Sequence, residues 1–539
     1  MPRHQPIVEP KVDAFMARRL LFIGLDAGDV DLIETWAAEG LLPNISRLKA
    51  GGTWARIRTT AEHFHVSAWP STFTGTTADK HGLYHAYVVR PGHQGLLRPR
   101  PDESPFPFVW KLLSDHGKRS VVIDAFLTCP VRDFHGVQIV DWGSWSWFWT
   151  PTMVPSSLKR EIHRRFGPYP ADDHSKIGMT PVTDIATFRH RLLAAVSRKT
   201  DVVKWLLQRE AWDFFLVVFG ESHPAGHYFW HLHDRAYVTH PAAELGGLQY
   251  ALRDVYVALD RAIGDVLTAV DRDTTVWLVS GDGMVANYSG SHLLPDLLTR
   301  MGLLSAAAAA GRGSAGAPSG GGGRRDLLSA ARNMVPERWR IAVSQALLSR
   351  RTQEQLSLRW KTAGIAWPRT RAFVIENANE GYLRINLKGR EPAGTVSAGA
   401  EYAELCRHLC QTARTMISPV TGQRAALDVV QTDDLFDGPR RSYLPDVVIV
   451  WNPEARVTTE LLTEQYDLVR VAAPGCAVAP FYSGNHWPNA FVGAVGPRVA
   501  HGGLEGGSIL DLAPSILAHF GIDPPGYMDG RVRRELGSA

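Results

Sequence analysis

Continuous apolar runs alternate along this chain with segments whose apolar residues recur at helical spacing. Leu20–Leu25 (LLFIGL) and Phe214–Phe219 (FFLVVF) are apolar throughout and too short for helices, the pattern of strands buried on both faces of a parallel sheet. Arg119–Ile123, Thr275–Val279, Arg371–Ile375, Tyr382–Leu387, Asp446–Trp451 and Phe491–Gly493 read as further strands. Between them, Asp31–Glu39 reads as a helix closed by Gly40, and Leu42-Pro43-Asn44 opens another. Gly247–Val270 repeats apolar residues at Leu248, Leu252, Val255, Leu259, Ile263 and Val266, an amphipathic helix, and helices are also predicted over Ala400–Met416 and Ile509–Phe520. Strands and helices alternating on this scale predict an α/β fold, a large, mostly parallel sheet with helices on both faces.

The same pattern divides the chain. Residues 1–18 form a polar, proline-containing tail, and 19–300 the first part of the core, with a mainly helical cap inserted at about 142–210. Residues 301–330 read as a linker, because Ala306–Arg325 is an Ala/Gly/Ser tract with little to pack; 331–539 carries the rest of the core and a smaller subdomain. The length of 539 residues, 45% hydrophobic and 21% charged, suits such a core with additions. A formal net charge of +4 without a long Lys/Arg block gives no indication of a nucleic-acid polymer as partner. Cys129, Cys406, Cys410 and Cys476 are too few for a disulfide framework in so long a chain, and Cys406 and Cys410 have the spacing of packed helical residues. The first 19 residues lack the apolar stretch of a signal peptide and no run is long enough to span a bilayer, so the expectation is a cytoplasmic protein without a membrane partner. The oligomeric state is left open.

Candidate chemistry gathers where the apolar strands end. The strand Phe214–Phe219 runs into His223 and His227, whose i,i+4 spacing puts two imidazoles on one face if Ser222 onward is helical, within reach of one metal ion. Asp26 follows the first strand, Asp282 follows Thr275–Val279 within Ser280-Gly281-Asp282-Gly283, and His486 lies in Ser483-Gly484-Asn485-His486. Ligands from distant strand ends meeting at one sheet edge is ordinary α/β construction. Val140–Thr150 carries Trp142, Trp145, Trp147 and Trp149, read either as core or lid, or, for Trp145 and Trp147, as an aromatic wall for a planar substrate group.

In this order the motifs resemble the alkaline phosphatase superfamily, most closely its type I phosphodiesterase/nucleotide pyrophosphatase branch. The resemblance covers roughly residues 20–296 and 367–532. Its marks are Asp26 with Leu42-Pro43-Asn44, Thr74-Gly75 before Lys80-His81-Gly82, Glu221–His227, Val279–Met284, Ile385–Val396 (INLKGREPAGTV), Gly484–His486, and Asp511-Leu512-Ala513-Pro514 through Met528-Asp529-Gly530. It implies a metal-dependent hydrolase of phosphodiester, phosphomonoester or related phosphoryl or sulfuryl substrates, a small molecule or nucleotide, with one or two divalent ions, zinc by the family's habit. Carried over by position, His223, His227 and His486 hold one metal, and Asp26 with Asp282 the other. Glu221 is either an orienter of these histidines or a surface residue, and His81 is structural.

Three positions depart from the family pattern. His223 stands where the family has Asp in Asp-xxx-His, and Gly281-Asp282 stands where it has Asp-His. Counting ten residues back from Gly75, the family's nucleophile position, gives His65, with Ser67 as a minor candidate nearby. His65 is read as a base or replacement ligand, or as a nucleophile. The altered site leaves three readings in view: the hydrolase, a single-metal or group-transfer enzyme, and a non-catalytic binding protein that keeps the fold.

Overall fold

The computed structural model describes residues 18–143, 151–171, 185–234, 246–306, 361–362, 364–470 and 482–537. Trp145, Trp147, Trp149, Cys476 and the Ala/Gly/Ser tract after Ala306 lie outside them. The strands in the first part of the chain are β1 (Leu20–Leu25), β2 (Thr53–Ile57), β3 (Ser120–Ile123), β4 (Gly136–Val140), β5 (Thr152–Val154), β6 (Phe214–Phe219), β7 (Thr275–Ser280) and β8 (Gly283–Ala286). Those in the second are β9 (Ala372–Ile375), β10 (Gly381–Ile385), β11 (Ala426–Gln431), β12 (Val447–Trp451), β13 (Glu460–Thr463), β14 (Asp467–Arg470), β15 (Gly484–Trp487) and β16 (Ala490–Val495).

The main sheet has eight strands in the order β2-β16-β7-β1-β6-β3-β4-β5. β7, β1, β6, β3 and β4 run parallel, while β16 is antiparallel to β2 and β7, and β5 to β4. The unbroken apolar runs have the physical cause assigned to them: successive side chains of a strand point to opposite faces. Leu21, Ile23 and Leu25 of β1, with Phe215, Val217 and Phe219 of β6, enter one core. Leu20 and Phe22, with Phe214, Leu216 and Val218, enter the other. A sheet buried on both faces needs helices on both, and it has them. Val30–Ala38, Pro43–Ala50, Ile185–Arg209 and Ala251–Leu267 cover the first face, and Ala68–Thr74, Val109–Asp115 and Leu512–His519 the second.

Within the region expected to form a cap, β5 extends the main sheet and the helix Ile185–Arg209 buries Phe188, Leu192, Val196, Val203 and Leu206 in the first core. A second, antiparallel sheet, β11-β12-β10-β9, has its own apolar cluster with the helix Ala400–Thr415, which buries Cys406 and Cys410. Its β9–β10 turn reaches back to the main sheet's edge. The short pair β8–β15 closes the same edge, carrying His486 opposite Met284. No helix of the described residues is long and apolar enough to cross a membrane.

Leu42-Pro43-Asn44 owes its place to a helix start. The buried Asp260 accepts from the Asn44 and Ile45 backbone N–H groups at 3.0 and 2.8 Å and from the Asn44 amide at 2.8 Å. The exposed amides of a helix's first turn need acceptors, and a carboxylate from a neighbouring helix supplies them here. Asp260→Ala is expected to cost about 1–2 kcal/mol, the range of a lost cap, measured as a lower urea midpoint with an unchanged slope; an unchanged midpoint would show the contact to be idle.

Candidate metal centre

The histidine pair is helical, as its spacing predicts: His223 and His227 lie one turn apart on the buried helix Ser222–His233 that leaves β6. Asp26 follows β1, and the next residue, Ala27, turns the chain with φ at 51°, a left-handed conformation that non-glycine residues hold only when their surroundings impose it. Asp282 follows β7, and His486 arrives on β15. Strand order therefore makes neighbours of residues far apart in sequence, since β1 lies between β6 and β7.

Three imidazole Nε2 atoms converge. His223 Nε2 is 2.9 Å from His227 Nε2 and 3.1 Å from His486 Nε2. Each opposite nitrogen is fastened: His223 Nδ1 to Asp26 Oδ2 at 2.9 Å, His227 Nδ1 to the Gly484 carbonyl at 2.8 Å, and His486 Nδ1 to Asp282 Oδ2 at 2.6 Å. A carbonyl can only accept, so His227 carries its proton on Nδ1 and presents a lone pair at Nε2. Asp26 holds His223 at Nδ1 in the same position. Burial raises its pKa, but the charge of His223 and hydrogen bonds from His223 and Trp69 outweigh that and hold the carboxyl below its ordinary value. Burial, then the neighbouring imidazoles, keeps His227 and His486 well below the usual histidine range, the neutral form that ligates. His227 Nε2 and His486 Nε2 both lie within 3.1 Å of His223 Nε2, a cluster of ring nitrogens that one cation can share. The donor set thus fits a metal ion, and among the described residues these three histidines are the group able to hold one.

The structure brings Asp26 and Asp282 to this centre, but on the far nitrogens of His223 and His486. Burial, with Asp26 nearby, pushes Asp282 up to about 8. Its Oδ1 is buried without a hydrogen-bond partner. His65, in the turn before the helix Ala68–Thr74, is also buried and stacks on His486 with ring centroids 4.5 Å apart. Ser67 is turned away, donating to the Phe64 carbonyl at 2.6 Å. His81 is structural: its Nδ1 accepts from the Leu83 N–H, and its Nε2 meets Ser71 Oγ at 3.0 Å.

Sequence reasoning missed three contributors. Glu380, in the β9–β10 turn, holds His65 Nδ1 at 2.9 and 3.0 Å, and Asn379 Nδ2 lies 2.7 Å from His65 Nε2. Burial works against the Glu380 carboxylate, but the charge and hydrogen bond of His65, with a bond from Asn377, bring it to about 2. The available signal was Glu376-Asn377-Ala378-Asn379-Glu380, a polar turn between apolar strands. Trp69 donates to Asp26 Oδ1 at 2.7 Å, filling the oxygen that His223 does not use.

Glu221 is not a surface residue and does not orient the histidines; it is fully buried. Tyr169 donates to its Oε1 at 2.7 Å, and Lys199 Nζ lies 3.4 Å away. The Lys199 ammonium also meets Asp124 Oδ2 at 3.0 Å and donates to the Gly143 and Val218 carbonyls. Burial disfavours this cation, yet Glu221 and Asp124 outweigh burial and raise its pKa. It ties the ends of β3 and β6 beside the centre. Lys199→Met leaves buried carboxylates without a counter-charge and is expected to cost about 3–5 kcal/mol, visible as a large fall in the unfolding midpoint; a midpoint within error of wild type would contradict this.

With this geometry in hand, comparison with known proteins finds that residues 20–472 match the family model described as type I phosphodiesterase / nucleotide pyrophosphatase. Among solved structures, the chain is similar to phosphonoacetate hydrolase from Sinorhizobium meliloti 1021 in complex with phosphonoformate, at 12% identity over 92% of this chain and 94% of that one, TM-score 0.47. The same hydrolase in complex with phosphonoacetate gives 11% identity, 92% and 94% coverage and a TM-score of 0.46. No curated protein matches.

Proposed function

The chain belongs to the type I phosphodiesterase / nucleotide pyrophosphatase family, and from that premise we propose a metal-dependent hydrolase of a small phosphodiester or related phosphoryl or sulfuryl ester. The observation that carries this is the convergence of three Nε2 atoms whose Nδ1 partners are already in place. His223, His227 and His486 would hold one divalent ion, zinc being the family's habit and well suited to three imidazoles. Asp26 and Asp282 then act through the histidines, fixing the orientation of His223 and His486. When bound, the ion supplies Lewis-acid stabilisation of charge on the ester's oxygens.

The remaining work falls to this chain's own residues. His65 stands beside His486 with its Nδ1 held by Glu380, so its Nε2 is the nitrogen left to take a proton from an attacking water. Glu380 keeps that tautomer and stabilises the imidazolium that results, and its own hold is firm: Asn377 Nδ2 at 2.7 Å and Tyr382 hydroxyl at 3.1 Å. Asn379 covers His65 Nε2 and has to yield it to water or substrate.

The test measures turnover and metal content together. His65→Ala and His65→Gln are each expected to lower kcat by about 10²–10⁴-fold with metal content per chain unchanged. Glu380→Gln should lower kcat by roughly 10–100-fold with KM little altered. Undiminished turnover in both His65 variants would remove His65 from the chemistry. Bound metal with no turnover of any phosphoryl or sulfuryl ester would favour a binding protein.

A further inference from the structure

The loops after β1 and β7 are laced together beside the centre. Ser280 Oγ lies 2.7 Å from both the Leu25 and the Asp282 carbonyls and accepts the Gly28 N–H at 2.9 Å. Three residues past Asp26, the buried Asp29 adds a carboxylate to the lacing. Its Oδ1 accepts the Leu32 N–H at 2.9 Å and caps the helix Val30–Ala38, while its Oδ2 accepts the Met284 N–H of β8 at 3.1 Å. The Asp29 N–H donates in turn to the Tyr256 hydroxyl at 2.9 Å.

A helix cap needs one acceptor, and serine or asparagine supplies it as well as aspartate does. The second oxygen is therefore the informative one. Burial pushes Asp29 up to about 6 against the hydrogen bonds from Leu32 and Met284, so a carboxylate here costs stability that a neutral cap would not. What it adds is the contact with β8, an approach so close that a Cβ on Gly283 would lie 2.6 Å from Asp29 Oδ2. That contact accounts for the second glycine of Gly281-Asp282-Gly283. The backbone it grips is tied to His486 twice. Asp282, one residue before Gly283, holds His486 Nδ1 at 2.6 Å, and β15 pairs with β8 so that His486 faces Met284. His223, by contrast, is tied to the end of β1 through Asp26. The placement of β8 against the loop after β1 thus governs how far His486 stands from His223, and Asp29 bonds the one to the other directly.

We propose that Asp29 is a positioning residue of the metal centre: by holding the Met284 backbone to the loop after β1, its carboxylate sets the separation of His486 from His223 and with it the affinity for the ion they share. This rests on the metal-binding reading above and extends it to a residue outside the three ligands and their Nδ1 partners.

Two variants separate the clamp from the cap. Asp29→Asn keeps a capping oxygen but turns an NH2 group toward the Met284 N–H, and Asp29→Ser caps but is too short to reach it. The whole chain, freed of metal, is titrated with zinc against a chromophoric chelator, for wild type, both variants and Asp260→Ala, which removes a cap from another helix on the same face of the sheet. Both Asp29 variants should bind zinc roughly 10–100-fold more weakly, the range for a lost supporting group around a metal. With cobalt(II) in place of zinc, their visible absorption bands should shift from those of wild type, reporting a changed arrangement of the imidazoles. Asp260→Ala should lower the unfolding midpoint and leave zinc affinity unchanged. Wild-type affinity in both Asp29 variants, or an equal loss of affinity in Asp260→Ala, overturns the proposal and leaves Asp29 a helix cap. Weaker zinc binding by the Asp29 variants supports the clamp even if no ester is turned over, an outcome that would sink only the catalytic reading. A wild type that takes up no zinc or cobalt sinks the metal-binding reading and the clamp with it.

Discussion

The arrangement at the edge of the main sheet depends on one electrostatic constraint. Three imidazoles bring their Nε2 atoms together, and each is held there from behind by an oxygen acceptor on its other nitrogen. Those acceptors come from three places: Asp26 after β1, the Gly484 carbonyl of β15, and Asp282 after β7. None belongs to the helix that carries His223 and His227. The centre therefore exists only when β1, β6 and β7 lie side by side and β15 has paired with β8, which makes the sheet topology a condition of the chemistry.

The surroundings bear the cost of gathering so many polar groups in a dry place. Lys199 keeps two buried carboxylates compensated and binds the ends of β3 and β6 together. Glu380 reaches His65 from the second sheet, so a buried histidine–carboxylate pair joins that sheet to the turn before Ala68–Thr74, beside His486. Buried ion pairs stabilise weakly by themselves, because desolvation opposes the Coulomb gain. Their value lies in geometry: each holds its partners at a separation of about 3 Å, the reach of a hydrogen bond.

Much of this was legible in the sequence, for physical reasons. β1 and β6 have the predicted ends because a run apolar at every position and too short for a helix suits a strand buried on both faces. The meeting of His223 and His227 was readable because helical spacing puts them on one face, and the structure brings His486 to them. What stayed hidden is contact between distant segments. Nothing local to His65 announces Glu380, 315 residues away, and a list of donors does not say which imidazole nitrogen a carboxylate faces, so the sequence did not show Asp26 and Asp282 meeting the Nδ1 atoms of His223 and His486. Lys199 did leave a trace. It shares the apolar face of its helix with Ala195, Val196, Val202 and Val203, and a lysine in that position needs a buried partner.

The central claim is a single metal held by three imidazoles, with Asp26 and Asp282 acting through them. Elemental analysis of protein purified without chelator, for wild type, His227→Ala and Asp282→Ala, tests it most directly. The account predicts about one ion per chain in wild type, the number three imidazoles can hold at one centre, lost in His227→Ala and weakened but not halved in Asp282→Ala. Two ions per wild-type chain, falling to one in Asp282→Ala, would contradict it and make Asp282 a ligand of a second metal.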